Sequence, residues 1–176
     1  MKIFSNRLWI TFCLAVQMAV LPNAYAESLA LPAGWRLPNP DELSDAWRAK
    51  DPARYARAIG DFDGDGRPDR AAMLVSLRRQ RLALFAYSAA GNQKYAWRKL
   101  NEVSGAQGIH AMGIEVVPPG KYTTACGKAY DTCKYGEPKT IRALNPLINY
   151  FKSESANRYV YFDSGSRMFR LVWMSD

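Results

Sequence analysis

Histidine is almost missing from this 176-residue chain; His110 is the only one. A zinc site of the usual His/Cys kind is therefore hard to assemble, and a single imidazole is left for acid–base work. Flanked by Ile109 and Ala111, His110 reads as a packed or surface residue. Cysteine is scarce, with three in all and no C-x-x-C pair, which argues against a redox motif. Neither G-x-S-x-G nor S-x-x-K occurs, so the serines have no nucleophile context. No segment repeats. No apolar run reaches the roughly 20 residues that span a bilayer.

The N-terminus carries Lys2 and Arg7, then an apolar run over residues 8–21 broken by Thr11 and Gln17, then Ala24-Tyr25-Ala26. Charge, short apolar core and small-x-small end read as a secretory signal peptide over residues 1–26. This predicts a mature chain of residues 27–176, a single calcium-binding β-rich domain in the periplasm or secreted, with no membrane span after cleavage. Loss of Lys2 and Arg7 leaves 22 basic against 16 acidic residues, a net charge of +6. Export and the lack of an aromatic-interleaved basic motif argue against nucleic acid. An acidic protein partner, a cell-wall component or an anionic lipid surface fits the charge, as does a plain solvated basic surface. Cys126 and Cys133 survive cleavage, and an even count in an oxidising compartment reads as one disulfide.

What the sequence does hold is acid, concentrated in one place. Residues 61–69 read Asp-Phe-Asp-Gly-Asp-Gly-Arg-Pro-Asp. Four carboxylates so close repel one another unless something neutralises them. A Ca²⁺ ion takes six to eight oxygens at about 2.3–2.6 Å, and a Gly-containing turn can aim several Asp at one point. Asp61, Asp63 and Asp65 match positions 1, 3 and 5 of a calcium loop, Gly66 the turn, Arg67 the carbonyl ligand and Asp69 the ninth position. The twelfth position is Ala72 rather than Glu, which excludes an EF-hand. A metal-free Asp/Gly turn closing a strand pair is the alternative.

Residues 60–69, with a strand after them, resemble the FG-GAP or VCBS repeats, in which such a loop joins two strands of a propeller blade and binds Ca²⁺. The resemblance covers residues 59–87. It implies the ligands Asp61, Asp63, Asp65 and Asp69 with the Arg67 carbonyl. One copy cannot build a propeller, which needs four or more blades. Outside the loop the chain also resembles exported proteins of Gram-negative bacteria, which implies no activity.

Asn39-Pro40-Asp41-Glu42 is a helix start, and Leu43, Ala46 and Trp47 share a face, so a helix is predicted to about Ala49. Asp51-Pro52 repeats the start signal. Strands are predicted over residues 71–77, 81–88, 95–100, 113–117, 140–144, 158–162 and 168–174, with turns at 78–80, 89–92 and 164–166. Residues 147–151 are apolar but of undecided type. The expected fold is α+β: an antiparallel β-sheet of about five to seven strands with a short N-terminal helical region, one calcium loop and one disulfide.

Arg78, Arg79 and Arg81 gather at a hairpin tip, where they could meet an acidic partner or stay solvated. Glu102, Glu115, Glu137 and Glu154 could form a glycosidase-type acid pair, though nothing in the sequence brings two together. Trp97, Tyr130, Tyr135, Tyr150, Tyr159, Tyr161 and Trp173 could line a binding face, though strand spacing places most of them in a core. The combined expectation is an exported, non-enzymatic calcium-binding module that binds or inhibits a partner, an immunity protein against a secreted effector being one form. The competing classes are a calcium-dependent hydrolase of cell-wall or polysaccharide material and a structural envelope component.

Overall fold

Strands begin at Trp35 and dominate the described residues that follow. In the computed structural model the described residues are 29–48, 51, 53–89, 94–105 and 107–175. The signal-peptide expectation lies outside them, as does most of the turn at 89–92. Residues 29 and 30 carry no regular structure, and the chain from Leu31 onward forms one unit.

Eleven strands lie among the described residues, more than the five to seven expected, and they fall into three antiparallel sheets. The first holds β1 (Trp35–Arg36), β2 (Arg57–Gly60), β3 (Asp69–Ser76), β4 (Arg81–Ser88) and β5 (Ala96–Ser104). Its order is β1-β3-β4-β5, and β2 also pairs with β3. Strand β2 takes residues 69–72 of β3 and β1 takes 75–76, so two short strands share one edge. After a short α-helix, α1 (Gln107–Ala111), the second sheet is ordered β11-β10-β9-β6. It is built from β6 (Met112–Val117), β9 (Leu147–Lys152), β10 (Asn157–Asp163) and β11 (Met168–Ser175). A two-stranded ribbon of β7 (Gly120–Thr123) and β8 (Thr140–Ala143) completes the set.

Strand alternation sorts the side chains into layers. Ala71, Met73, Val75, Leu82 and Leu84 leave the inner face of the first sheet and meet Ile114, Ile148, Tyr150 and Val160 of the second. On the far side, Ala72, Leu74, Ala83 and Phe85 are covered by Leu31, Trp35 and Leu37. The lead-in is thus pinned by Trp35, whose ring centroid lies 5.0 Å from that of Phe85. The far face of the second sheet buries Leu147, Val172 and Met174 under Ile141 and Ala143 of the ribbon. Both faces of β3 and β4 are therefore dry, which is why these strands read as continuous apolar runs.

The expected N-terminal helix is not formed. Residues 40–43 and 46–48 make two separate 3₁₀ turns. The start signal works as read, for the Asn39 N–H donates to Glu42 Oε2 at 2.7 Å. Propagation fails at Ser44, whose hydroxyl donates to the Asp41 carbonyl at 2.8 Å and so competes with the helical ladder. Arg48 rather than Ala46 then turns inward. Its fully buried guanidinium donates to the carbonyls of Arg54 and Met112 and lies 4.3 Å over the Trp47 ring. Trp47 stacks on Tyr55, and both rings meet Phe151 edge-on. A Cβ at Gly113 would lie 2.5 Å from Phe151 and 2.9 Å from Trp47, so only glycine lets these rings close over β6.

Cys126 and Cys133 form the disulfide, with Cα atoms 4.8 Å apart. The residue before it is fixed to β11, where Ala125 N–H donates to the Trp173 carbonyl at 2.9 Å, and within the loop Lys128 Nζ donates to the Met174 carbonyl at 2.9 Å.

Candidate metal centre

The acidic loop is the corner between β2 and β3. Alternation at its entrance decides its shape. Phe62 turns inward and is 1 % exposed in the core between the sheets, while Asp61 and Asp63 turn the other way. Burial of that ring contributes about 1.5–3 kcal/mol and anchors the loop. Gly64 and Gly66 then take left-handed conformations, φ +78° and +82°, which non-glycine residues adopt at a cost.

The carboxylates organise the backbone around themselves. Asp61 Oδ1 accepts from Gly64 N–H at 2.8 Å and Oδ2 from Gly66 N–H at 3.0 Å. Asp63 Oδ1 accepts from Asp65 N–H at 3.2 Å, and Asp65 Oδ1 from Arg67 N–H at 2.8 Å. At the base of the loop, Asp69 Oδ2 accepts from both Phe62 N–H (2.9 Å) and Asp63 N–H (3.1 Å).

This network brings together Asp61, Asp63 and Asp65, each offering a carboxylate oxygen within 4.8 Å of the others. Two oxygens that share an ion at 2.3–2.6 Å can be at most about 5 Å apart, so the three could hold one metal ion. A further oxygen lacks a partner. Asp69 Oδ1 is buried and accepts no hydrogen bond. A buried, unpartnered carboxylate oxygen costs stability unless a cation or proton reaches it. Without a cation the electrostatics are adverse. Burial, then the neighbouring Asp63 charge, pushes the Asp69 carboxyl up to about 7, against the pull of the two amides. Burial also raises Asp63, helped by the Asp65 and Asp61 charges, against the pull of the Asp65 amide and the Ser88 hydroxyl.

Asp69 belongs to the loop's base rather than to the cluster of three, and Arg67 is placed with its N–H on Asp65. Two residues at the site escaped sequence reasoning. The Asn145 side chain sits where a Cβ on Gly64 would be, 2.5 Å from that position, so the β8–β9 corner packs on the loop. Tyr95 OH donates to Asp65 Oδ2 at 3.4 Å. Burial and the surrounding aspartates push its hydroxyl up to about 12. Both come from distant segments, and no local spacing signals them.

The other candidates lie apart. Arg78, Arg79 and Arg81 line a cleft of about 410 Å³ with Gly34 and Trp35, and Arg81 pairs with Glu102 there. Glu102 also takes Lys99, Glu115 accepts from Asn149, and Glu137 accepts from Lys134 N–H, so these acids sit in separate networks. His110 is exposed, with its carbonyl held by Trp47. Among the aromatics, Tyr150, Trp97, Tyr159 and Tyr161 pack into the cores, Arg158 lies 3.7 Å over Trp173, and Tyr130 and Tyr135 are exposed.

Comparison with protein-family models, curated proteins and solved structures finds no match. The likeness to FG-GAP or VCBS loops therefore rests on the loop residues alone.

Proposed function

We propose that the chain is an exported calcium-binding module that binds or inhibits a partner protein, with the ion serving to fix its scaffold. The observation that carries the metal half of this reading is the buried Asp69 Oδ1, which has no partner, beside the cluster of three aspartates. Carboxylate oxygens in this number suit a hard cation. Asp61, Asp63 and Asp65 would hold it, with Asp69 and the Arg67 carbonyl completing the set as in FG-GAP or VCBS loops. The ion would supply positive charge that offsets their mutual repulsion. Its role would be to join the β2–β3 corner to Asn145 across the fold. Weak affinity suffices outside the cell, where calcium sites work at about 10⁻⁴–10⁻³ M.

The disulfide is compatible with a secreted, oxidising setting, periplasmic in this reading. No helix among the described residues is long and apolar enough to cross a membrane. The basic surface supports an acidic partner, for which an immunity protein against a secreted effector is one concrete form. Calorimetric titration of EDTA-stripped protein tests the metal. One calcium site is expected, with little heat from Mg²⁺ and none in D63N/D65N. Absence of calcium heat in the wild type would sink the metal reading. Cross-linking in periplasm tests the partner, with one protein in one-to-one amount as the expected product.

A further inference from the structure

Two turns from distant parts of the chain close on one another beside the first sheet. One covers residues 32–35, where Trp35 N–H donates to the Pro32 carbonyl at 3.1 Å. The other is the β3–β4 turn, where Arg81 N–H donates to the Arg79 carbonyl at 2.8 Å. Leu77 N–H reaches the Gly34 carbonyl at 2.9 Å and ties the two together, and Trp35 stands opposite Ser76 in the β1–β3 pairing. A further tie runs to the end of β5, where Gly105 N–H donates to the Gln80 carbonyl at 2.8 Å. The cleft of about 410 Å³ among these segments thus has walls fixed by backbone hydrogen bonds.

Its lining is basic. Arg78, Arg79 and Arg81 stand against Glu102, so three positive charges meet one negative and leave a net +2. The one acid is already engaged. Glu102 takes Lys99 at 2.7 Å and also pairs with Arg81. These two cations hold its carboxyl below the ordinary carboxylate range. Arg81 is thereby fixed in place. Arg78 and Arg79 are exposed, and among the described residues their guanidinium groups have no hydrogen-bond or ion-pair partner. Ser76 Oγ accepts from Arg78 N–H at 3.3 Å, which leaves its own hydrogen to be donated. Ala33 and Trp35 supply the apolar part of the lining.

Size and charge together select the occupant. A stable protein interface takes about 800 Å² from each partner, more than the mouth of such a cleft offers, whereas small-molecule sites run from about 300 to 1,000 Å³. A carboxylate brings one charge and is satisfied by a single bidentate guanidinium. A phosphomonoester brings about −1.5 to −2 charges at pH 7 and three acceptor oxygens, enough for several guanidinium groups. The second matches both the net charge of the lining and the number of its arginines.

We infer that this cleft binds the phosphomonoester group of a small organic molecule. Arg78 and Arg79 close on the phosphate oxygens, Arg81 and the Ser76 hydroxyl donate from the wall, and Trp35 packs on the organic body. Two sources share this chemistry, a soluble phosphomonoester and a phosphorylated lipid headgroup.

The test uses the full mature chain, ¹⁵N-labelled, with phenyl phosphate as the probe and benzoate as a carboxylate on the same ring. Saturable amide shifts are expected for phenyl phosphate at Gly34, Trp35 and residues 76–81. Benzoate should bind at least about tenfold more weakly. R78Q/R79Q, at exposed positions, should weaken phenyl phosphate at least about tenfold. K121Q/R142Q removes the same charge from exposed positions on the β7–β8 ribbon and should leave binding within about twofold, since salt screens distant surface charges. Flotation with phosphatidylcholine vesicles containing phosphatidic acid separates the sources. Flotation abolished by both phenyl phosphate and R78Q/R79Q supports a lipid headgroup, and phenyl phosphate binding without flotation supports a soluble ligand. The inference is overturned by an absence of saturable shifts, by benzoate binding as tightly as phenyl phosphate, by shifts spread over the basic surface instead of the cleft, or by equal weakening in the two charge variants.

Discussion

Asp69→Asn separates an ion-requiring loop from a plain Asp/Gly turn. Asp69 is fully buried, its Oδ2 clamps two backbone amides, and its Oδ1 has no partner. In the metal-free protein, burial and the Asp63 charge push this carboxyl from an ordinary 3.8 up to about 7. A folded-state value above the unfolded one means the fold holds a proton that the unfolded chain has released. The stabilisation is therefore complete below about pH 4 and is lost as pH rises through about 7. At about 1.4 kcal/mol per tenfold in proton affinity, the loss is on the order of 4 kcal/mol, of which roughly 2–3 kcal/mol falls between pH 5 and 8. Asparagine keeps the acceptor for the two amides and carries no charge, so D69N should lack this loss. For a domain of this length 1 kcal/mol corresponds to about 3 °C in melting temperature. In EDTA, D69N should gain roughly 6–9 °C on the wild type between pH 5 and pH 8. Calcium at a hundredfold excess over its dissociation constant should then add about 2.7 kcal/mol to the wild type at pH 8 and little to D69N. Calorimetric melts at both pH values, with EDTA and with calcium, read all four quantities. A constant difference between the two proteins across pH, together with an equal calcium response, would refute the reasoning.

Three other perturbations have expected magnitudes. C126S/C133S opens a loop of sequence separation 7 and should cost about 2–3 kcal/mol in urea unfolding, with calcium binding retained. Gly113→Ala forces a methyl into Phe151 and Trp47 and should cost about 1–3 kcal/mol, read by the same unfolding. Arg48→Met removes the buried donors to the Arg54 and Met112 carbonyls. A loss of about 2–3 kcal/mol is expected, with a rise in tryptophan fluorescence change on partial unfolding as Trp47 comes free.

Where signals were local, sequence and structure agree closely. The strand expected at residues 81–88 is β4 to the residue, because its alternation and its turn lie within one window. Residues 147–151 became β9 once Tyr150 and Ile148 met the first sheet, a contact that no periodicity encodes. Strands β1, β2 and β7 are two to four residues long, too short for a period, and exist because a partner strand is present. The expected helix gives way to two 3₁₀ turns because the Ser44 hydroxyl bonds back to Asp41 and Arg48 is drawn into the core, neither of which the spacing of three apolar residues encodes. At the site, Asp61, Asp63 and Asp65 were legible because loop and ligands are one segment. Asn145 and Tyr95 were not, since chain folding alone delivers them.

The order of strands also sets an order of assembly. Sheet one grows by neighbours, β2 to β3 to β4 to β5, and the last three strands of the second sheet do likewise. Strand β6 is different, for it must wait for β9, across the ribbon and the disulfide loop. Pairings between near neighbours form faster than those closing long loops. A chain emerging from its N-terminus would complete the first sheet early, with Met73, Val75, Leu82 and Leu84 bare on one side until the second sheet arrives. The β2–β3 corner belongs to that early half. A cation captured there would steady a half-built molecule during the interval in which its sticky face is most exposed to other chains.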